Sequence, residues 1–197
     1  MAIRTTGAET LITETAKKIF LVEGRIHATT EDIAREAGVP RTSVHYYFRS
    51  RDLLFERVFS EALAEVRQRL NIIIDSDVPF RIKLEKYVEA CLQLSFTYPH
   101  IETFVITEII NQSNTLTDID NPIKLNVFMK EIREQMKKGV IVEMNPYQFI
   151  LNLFALIAYP SVAAPLCKKL FDVSDEAYAK LIKERKRVIL SVLLKSE

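Results

Sequence analysis

The stretch "AREAGVPRTSVHYYFRSRDLLF", residues 34–55, decides the fold. Gly38 ends one short helical pattern, Pro40 opens a second, and Ser50 can cap a third. Two short helices joined by three or four residues that include a glycine make a helix-turn-helix. In the second of them Val44 and Phe48 are spaced i, i+4 and face inward. That leaves Arg41, Thr42, Ser43, His45, Tyr46 and Tyr47 at exposed or flanking positions. Residues 37–51 hold Arg41, Arg49 and Arg51 and no acid. An arginine can fork to guanine or phosphate, a hydroxyl can donate to phosphate, and an aromatic body can touch a thymine methyl. These residues suit a helix laid in the major groove of double-stranded DNA.

Outward from this stretch the chain reads as a string of helices. The first, about residues 8–22, places Ile12, Ala16, Ile19 and Phe20 on one face. After Gly24, "TTED" supplies a capping box, with Thr29 as N-cap and Asp32 three residues on. The helix that follows buries Ile33, Ala34 and Ala37. Beyond Ser50, Phe55, Val58, Phe59, Ala62, Leu63, Val66 and Leu70 form the stripe of a long helix. A composition change at 72–78, "IIIDSDV", marks a domain boundary. Further helices are expected near 79–97, 99–111, 122–138, 146–169 and 175–195, with a polar loop, "QSNTLTDIDN", at 112–121. Pro160 should kink the helix near 146–169, and Pro165 should end or bend it again. No convincing period-2 strand lies between these segments, so the fold class is all-α, with about nine helices.

The 197 residues are 48% hydrophobic and 27% charged, which is ordinary for a globular protein with a real core. Formal net charge is +1, so no global field drives the chain onto nucleic acid or membrane, and any basic surface must be local. Cys91 and Cys167 are too few and too far apart for a disulfide framework or a Cys-x-x-Cys site. The first residues carry no apolar run of a secretory signal. The apolar stretch at 149–167 is interrupted by Asn152, Pro160, Ser161 and Pro165 and reads as a buried helix, not a membrane span. The expected location is cytoplasmic. His27, His45 and His100 show no metal-ligand spacing, and no glycine loop could cradle a phosphate. No catalytic residues, metal or cofactor are expected, and the chain reads as no enzyme. The basic run "KLIKERKRV", 180–188, is the wet face of a helix whose Leu181, Ile182, Val188, Ile189 and Val192 are expected to be buried.

Phe20, Gly24, Thr29, Thr30, Ile33, Ala34, Ala37, Gly38, Val39, Val44, Tyr46, Tyr47, Phe48, Ser50, Arg51, Asp52 and Leu54 together resemble the DNA-binding domain of the TetR family of bacterial repressors. The close match spans about residues 10–60, and core, turn and DNA-facing positions agree in it. His45 stands where the family most often has tyrosine, and Pro40 where a capping serine is common. The resemblance implies a three-helix DNA-binding domain at 1–50, a connecting helix at 51–74 and a ligand-binding and dimerisation domain at 75–197. It implies DNA contacts from Thr29, Thr30, Arg41, Thr42, Ser43, His45, Tyr46, Tyr47 and Arg51, with Arg51 clamping a phosphate at a helix N-terminus.

For the second half, the family parallel implies a largely apolar pocket for a small-molecule effector. Its candidates are Tyr87, Cys91, Phe96, Tyr98, His100, Phe104, Phe128, Met129 and Asn152. It also implies a homodimer through the last two helices and a palindromic operator. A different reading stays open: a DNA-tethered interaction protein whose C-terminal domain binds a protein partner in place of a small molecule.

Overall fold

A computed structural model describes residues 7–110 and 122–195; the polar loop expected at 112–121 lies outside the described residues. Among the described residues every regular element is helical, and strand pairing is confined to an isolated bridge between Ile141 and Leu194. The helices are α1 (Gly7–Lys17), α2 (Thr30–Ala37), α3 (Arg41–Phe48), α4 (Arg51–Asp75), α5 (Phe80–Thr97), α6 (Ile101–Ile110), α7 (Pro122–Lys137), α8 (Pro146–Val162), α9 (Ala164–Phe171) and α10 (Asp175–Leu193). Among the described residues ten α-helices thus stand where about nine were expected, because the segment near 146–169 is two helices. The break falls at Ala163, between the two prolines, and α8 and α9 meet at 73°. No single described helix is long and apolar enough to cross a membrane.

The contacts divide the chain into two compact units that do not follow the expected boundaries. The described residues of 1–65 and 97–116 form one, and those of 66–96 and 117–197 the other. The long helix α4 contributes to both.

In the first unit α1 packs on α2 and α3. The α-helical turns of α1 give way to a π-helical turn over Lys18–Val22, where Glu23 N–H donates to the Lys18 carbonyl at 3.0 Å. Ile19, Phe20 and Leu21, three successive residues, are all fully buried there. The Phe20 ring meets Phe55 of α4 edge-on at 5.2 Å, and Phe55 stacks on Phe59. Segment 97–110 joins this unit for clear reasons. Phe104 sets its ring edge-on to Phe55 at 5.6 Å, and His100 N–H donates to the Leu21 carbonyl at 3.1 Å. The His100 ring also lies over Gly24, so closely that a Cβ there would stand 2.6 Å from its Cε1. Gly24 has φ +67°, so both conformation and space call for glycine.

In the second unit the core joins Phe80, Leu84, Val88 and Leu92 of α5 to Phe128, Met129 and Ile132 of α7, Phe149, Leu153 and Ile157 of α8, and Ile189 and Leu193 of α10. Phe128 stacks with both Phe80 and Tyr87. Lys83, nearly buried, is paired with Glu131 at 2.8 Å, which joins α5 to α7 through a neutralised charge. Pro160 has no N–H to offer the carbonyl of Leu156 one turn back. Arg185 of α10 supplies the missing donor, Nη2 to the Leu156 carbonyl at 3.0 Å. The Tyr178 hydroxyl donates to the carbonyl of Pro160 itself at 2.6 Å. The carbonyls of Leu156 and Pro160 are therefore satisfied from α10.

Candidate nucleic-acid interface

The turn between α2 and α3 is built by local chemistry. Thr29 caps α2: its hydroxyl oxygen accepts from Asp32 N–H at 3.2 Å, and its own N–H donates to Asp32 Oδ2 at 2.9 Å. The same carboxylate takes the Thr29 hydroxyl proton at 2.7 Å and an Arg35 donor at 2.6 Å. These bonds, the Thr29 N–H foremost, hold the Asp32 carboxyl down from its ordinary 3.8 to about 2. Gly38 ends the helix at φ +66°, with its N–H shared between the Ala34 and Arg35 carbonyls. Pro40 opens α3 with no side-chain cap, as the sequence implies.

Helix α3 buries Val44 and Phe48 and turns the rest outward. Arg41, Thr42, His45 and Tyr46 are exposed, Tyr46 to 79%, while Ser43 and Tyr47 are half-buried. The Tyr46 ring sits edge-on to that of Tyr47 at 5.0 Å. Arg41 lies 4.0 Å from Glu31, both side chains well exposed, so the pair holds the guanidinium only loosely. Thr30 is half-buried at the first position of α2. Thr29 spends its hydroxyl on the capping box and acts there as the cap, not as a free donor.

Arg51 departs most from expectation. Its guanidinium turns into the protein: Nη2 donates to the Ile26 carbonyl, Nε to the Ala28 carbonyl at 3.4 Å and Nη1 to Asp52 at 3.0 Å. It also lies over the rings of Phe20 and Phe55, at 5.1 and 5.4 Å. The expected phosphate clamp is here a pin that fastens the loop before α2 to α4. The loop carbonyls of residues 26 and 28 belong to no helix and need donors, and Arg51 is the donor within reach.

Arg49, which the sequence reading passed over, shows the opposite behaviour. It is exposed and holds no hydrogen bond or ion pair through its side chain among the described residues. Its backbone has φ +62° and ψ −45°, and Ser50 N–H donates back to the Phe48 carbonyl at 2.7 Å. That is a γ-turn of the rare positive-φ form, a strained state for any side chain but glycine. The strain costs about 1–3 kcal/mol at such positions. Its geometric product is the abrupt passage from α3 into α4, whose first turn Ser50 then caps through Leu53 N–H at 3.1 Å. The clue in the sequence is the Arg-Ser-Arg triplet itself: only Arg51 has an aromatic residue, Phe55, four positions on to hold it inward.

The nine candidate ligand residues do not gather into one pocket. Tyr87, Phe128 and Met129 are buried in the core of the second unit, with Cys91 packed against it. Burial and the Cys91 neighbour push the Tyr87 hydroxyl far up, so it stays a neutral core group. Tyr98, His100 and Phe104 belong to the first unit. Phe96 is half exposed near the end of α5. Asn152 alone lines a groove of about 700 Å³ between α8, α9 and α10, with Leu156, Tyr159, Tyr178, Leu181 and Arg185. Aromatic residues at helical spacing have been used mainly as core.

Residues 12–58 match the sequence profile described as bacterial regulatory proteins, tetR family. The chain is 25% identical over 181 residues to the HTH-type transcriptional regulator RutR of Escherichia coli, covering 83% of this chain and 82% of that one. It is 23% identical over 146 residues to the HTH-type transcriptional regulator YhgD of Bacillus subtilis, covering 69% and 73%. Among solved structures, that of HlyIIR, a hemolysin II transcriptional regulator, superposes with a TM-score of 0.67 at 20% identity, over 96% of this chain and 98% of that one, which establishes the likeness of fold. With the α2–turn–α3 unit built as described and the profile lying over it, residues 12–58 carry a helix-turn-helix of the tetR type, and the chain as a whole is similar to transcriptional regulators that bear it.

Proposed function

We propose that the chain acts as a homodimeric repressor that reads a palindromic operator through α3 and leaves it when a small-molecule effector binds the second unit. The observation that carries the dimer is an apolar face on α8 and α10. Leu151, Phe154, Tyr159, Leu181 and Val192 are 46–59% exposed on it. A patch of this kind on a regulator marks a surface that is covered in the working molecule. A two-fold partner would cover it with the same patch and would set two recognition helices about one DNA turn, ~34–36 Å, apart or somewhat more. An effector would act by preferring a conformation in which that spacing is wrong, and each tenfold loss of operator affinity needs about 1.4 kcal/mol of such preference.

The same exposed face supports a second reading, in which a different protein covers it and the DNA-binding unit acts as a tether. One experiment separates them. The double variant Leu181→Asp, Val192→Asp should be folded by circular dichroism but monomeric by light scattering, with operator affinity down at least tenfold. A wild-type chain that is already monomeric at micromolar concentration would favour the tether, and a double variant that stays dimeric would put the interface elsewhere.

A further inference from the structure

Building on the reading of α3 as the recognition helix, we infer that Arg49, not Arg51, is the arginine that grips the DNA backbone at this end of the helix, and that its strained γ-turn is kept in order to present it. Three observations carry this. Arg51 is committed to the carbonyls of Ile26 and Ala28, to Asp52 and to the rings of Phe20 and Phe55. Arg49 stands one residue beyond α3, exposed, with no side-chain partner among the described residues. And a residue other than glycine occupies a conformation, φ +62° and ψ −45°, that glycine would hold without strain.

The charge around it points the same way. Arg25 is held by Glu23 and Glu36, and Arg35 by Asp32, so these cations of the first unit are already neutralised. Arg49 is exposed and uncommitted beside the capped N-terminus of α4, whose dipole also favours an anion. Its chemical partner is a phosphodiester oxygen of duplex DNA, a contact that adds affinity on every sequence and specificity on none. Backbone strain retained at a turn that glycine could fill is the mark of a side chain with work to do.

The test uses the full chain, an operator duplex obtained by selection, and a random duplex of equal length, titrated by fluorescence anisotropy over a salt series. Arg49→Gly should weaken binding to both duplexes by the same factor. Its salt slope should be shallower by about one unit per subunit bound, so that a fourfold rise in salt shrinks the gap to wild type about 3.5-fold per phosphate lost. Its Tm should rise, because glycine relaxes the turn; a residue with only a structural role would not combine a gain in Tm with a loss of slope. Arg49→Lys should keep the slope. Arg51→Gln should keep the slope too, since the charge it removes is not spent on a phosphate, but lower the Tm as the planar fork to the Ile26 and Ala28 carbonyls is lost. An unchanged slope in Arg49→Gly beside a salt-dependent wild type would overturn the role of Arg49 alone. A wild type with no salt-dependent binding to either duplex would overturn the recognition-helix reading and this inference with it.

Discussion

Asp32 shows how much a single half-buried side chain can do in this domain. Its carboxylate accepts from the Thr29 N–H and hydroxyl and from Arg35, and those bonds exist only in the folded chain. Its pKa is therefore lower folded, about 2, than in the unfolded chain, near 3.8. The stabilisation is present above the unfolded value and is lost as pH falls from about 4 towards 2. Asp32→Asn should lower stability at neutral pH and flatten the stability profile of the domain in that acid window, as read by urea melts. A variant that keeps the wild-type acid slope would contradict the capping-box account. The two arginines of the Arg49-Ser50-Arg51 triplet teach a related lesson. Sequence assigns them similar chemistry, and local geometry gives one to the protein and leaves the other to solvent. What the sequence made legible was the cap, the turn glycine and the inward pair Val44 and Phe48. What it hid was a set of loop carbonyls needing a donor, because that need exists only once α1, α2 and α4 are packed.

Among the elements, α6 is the informative one. Its boundaries were close to the expected 99–111, but its allegiance was not legible, since an apolar helix can pack on several neighbours. The contact that joins it to the first unit is specific: His100 donates its N–H to Leu21 and lays its ring over Gly24. Gly24→Ala should therefore destabilise the protein by more than about 1 kcal/mol, through both φ +67° and the collision with His100. His100→Ala should restore part of that loss and not all of it, because removing the ring frees the space but leaves the backbone strained. Purely additive effects of the two substitutions in a double-mutant cycle would mean that the ring does not rest on Gly24. The segment near 146–169 shows the opposite case. Its prolines announced a bend, and the break at Ala163 answers them. Sequence could not foretell that Arg185 and Tyr178 of α10 would satisfy the carbonyls this bend releases.

At the scale of the molecule, the all-α class and the DNA-binding unit could be read from 50 residues because cap, turn and core signals there agree with one another. The second unit was less legible, and α10 shows why. Its helical period put Leu181, Ile182, Val188, Ile189 and Val192 on one covered face, yet only Ile189 lies in the core, and Leu181 and Val192 are exposed. Periodicity reports that a face is apolar and does not say whether the same chain or another one covers it. The candidate ligand residues failed to converge for a similar reason, since aromatic spacing alone does not distinguish core from pocket. A substitution meant to break an interface must therefore fall on Leu181 or Val192, whereas Ile189→Asp would strike the core itself.

The central claim is that α3 reads DNA sequence, and that two copies of it read a palindrome. Selection of bound duplexes from a random pool, followed by anisotropy titration of the winner against random DNA at fixed salt, tests it most directly. The account predicts a palindromic winner, with half-sites about one helical turn apart, bound at least a thousandfold more tightly than random DNA. A pool that fails to converge, with only weak salt-sensitive binding to every duplex, would contradict it.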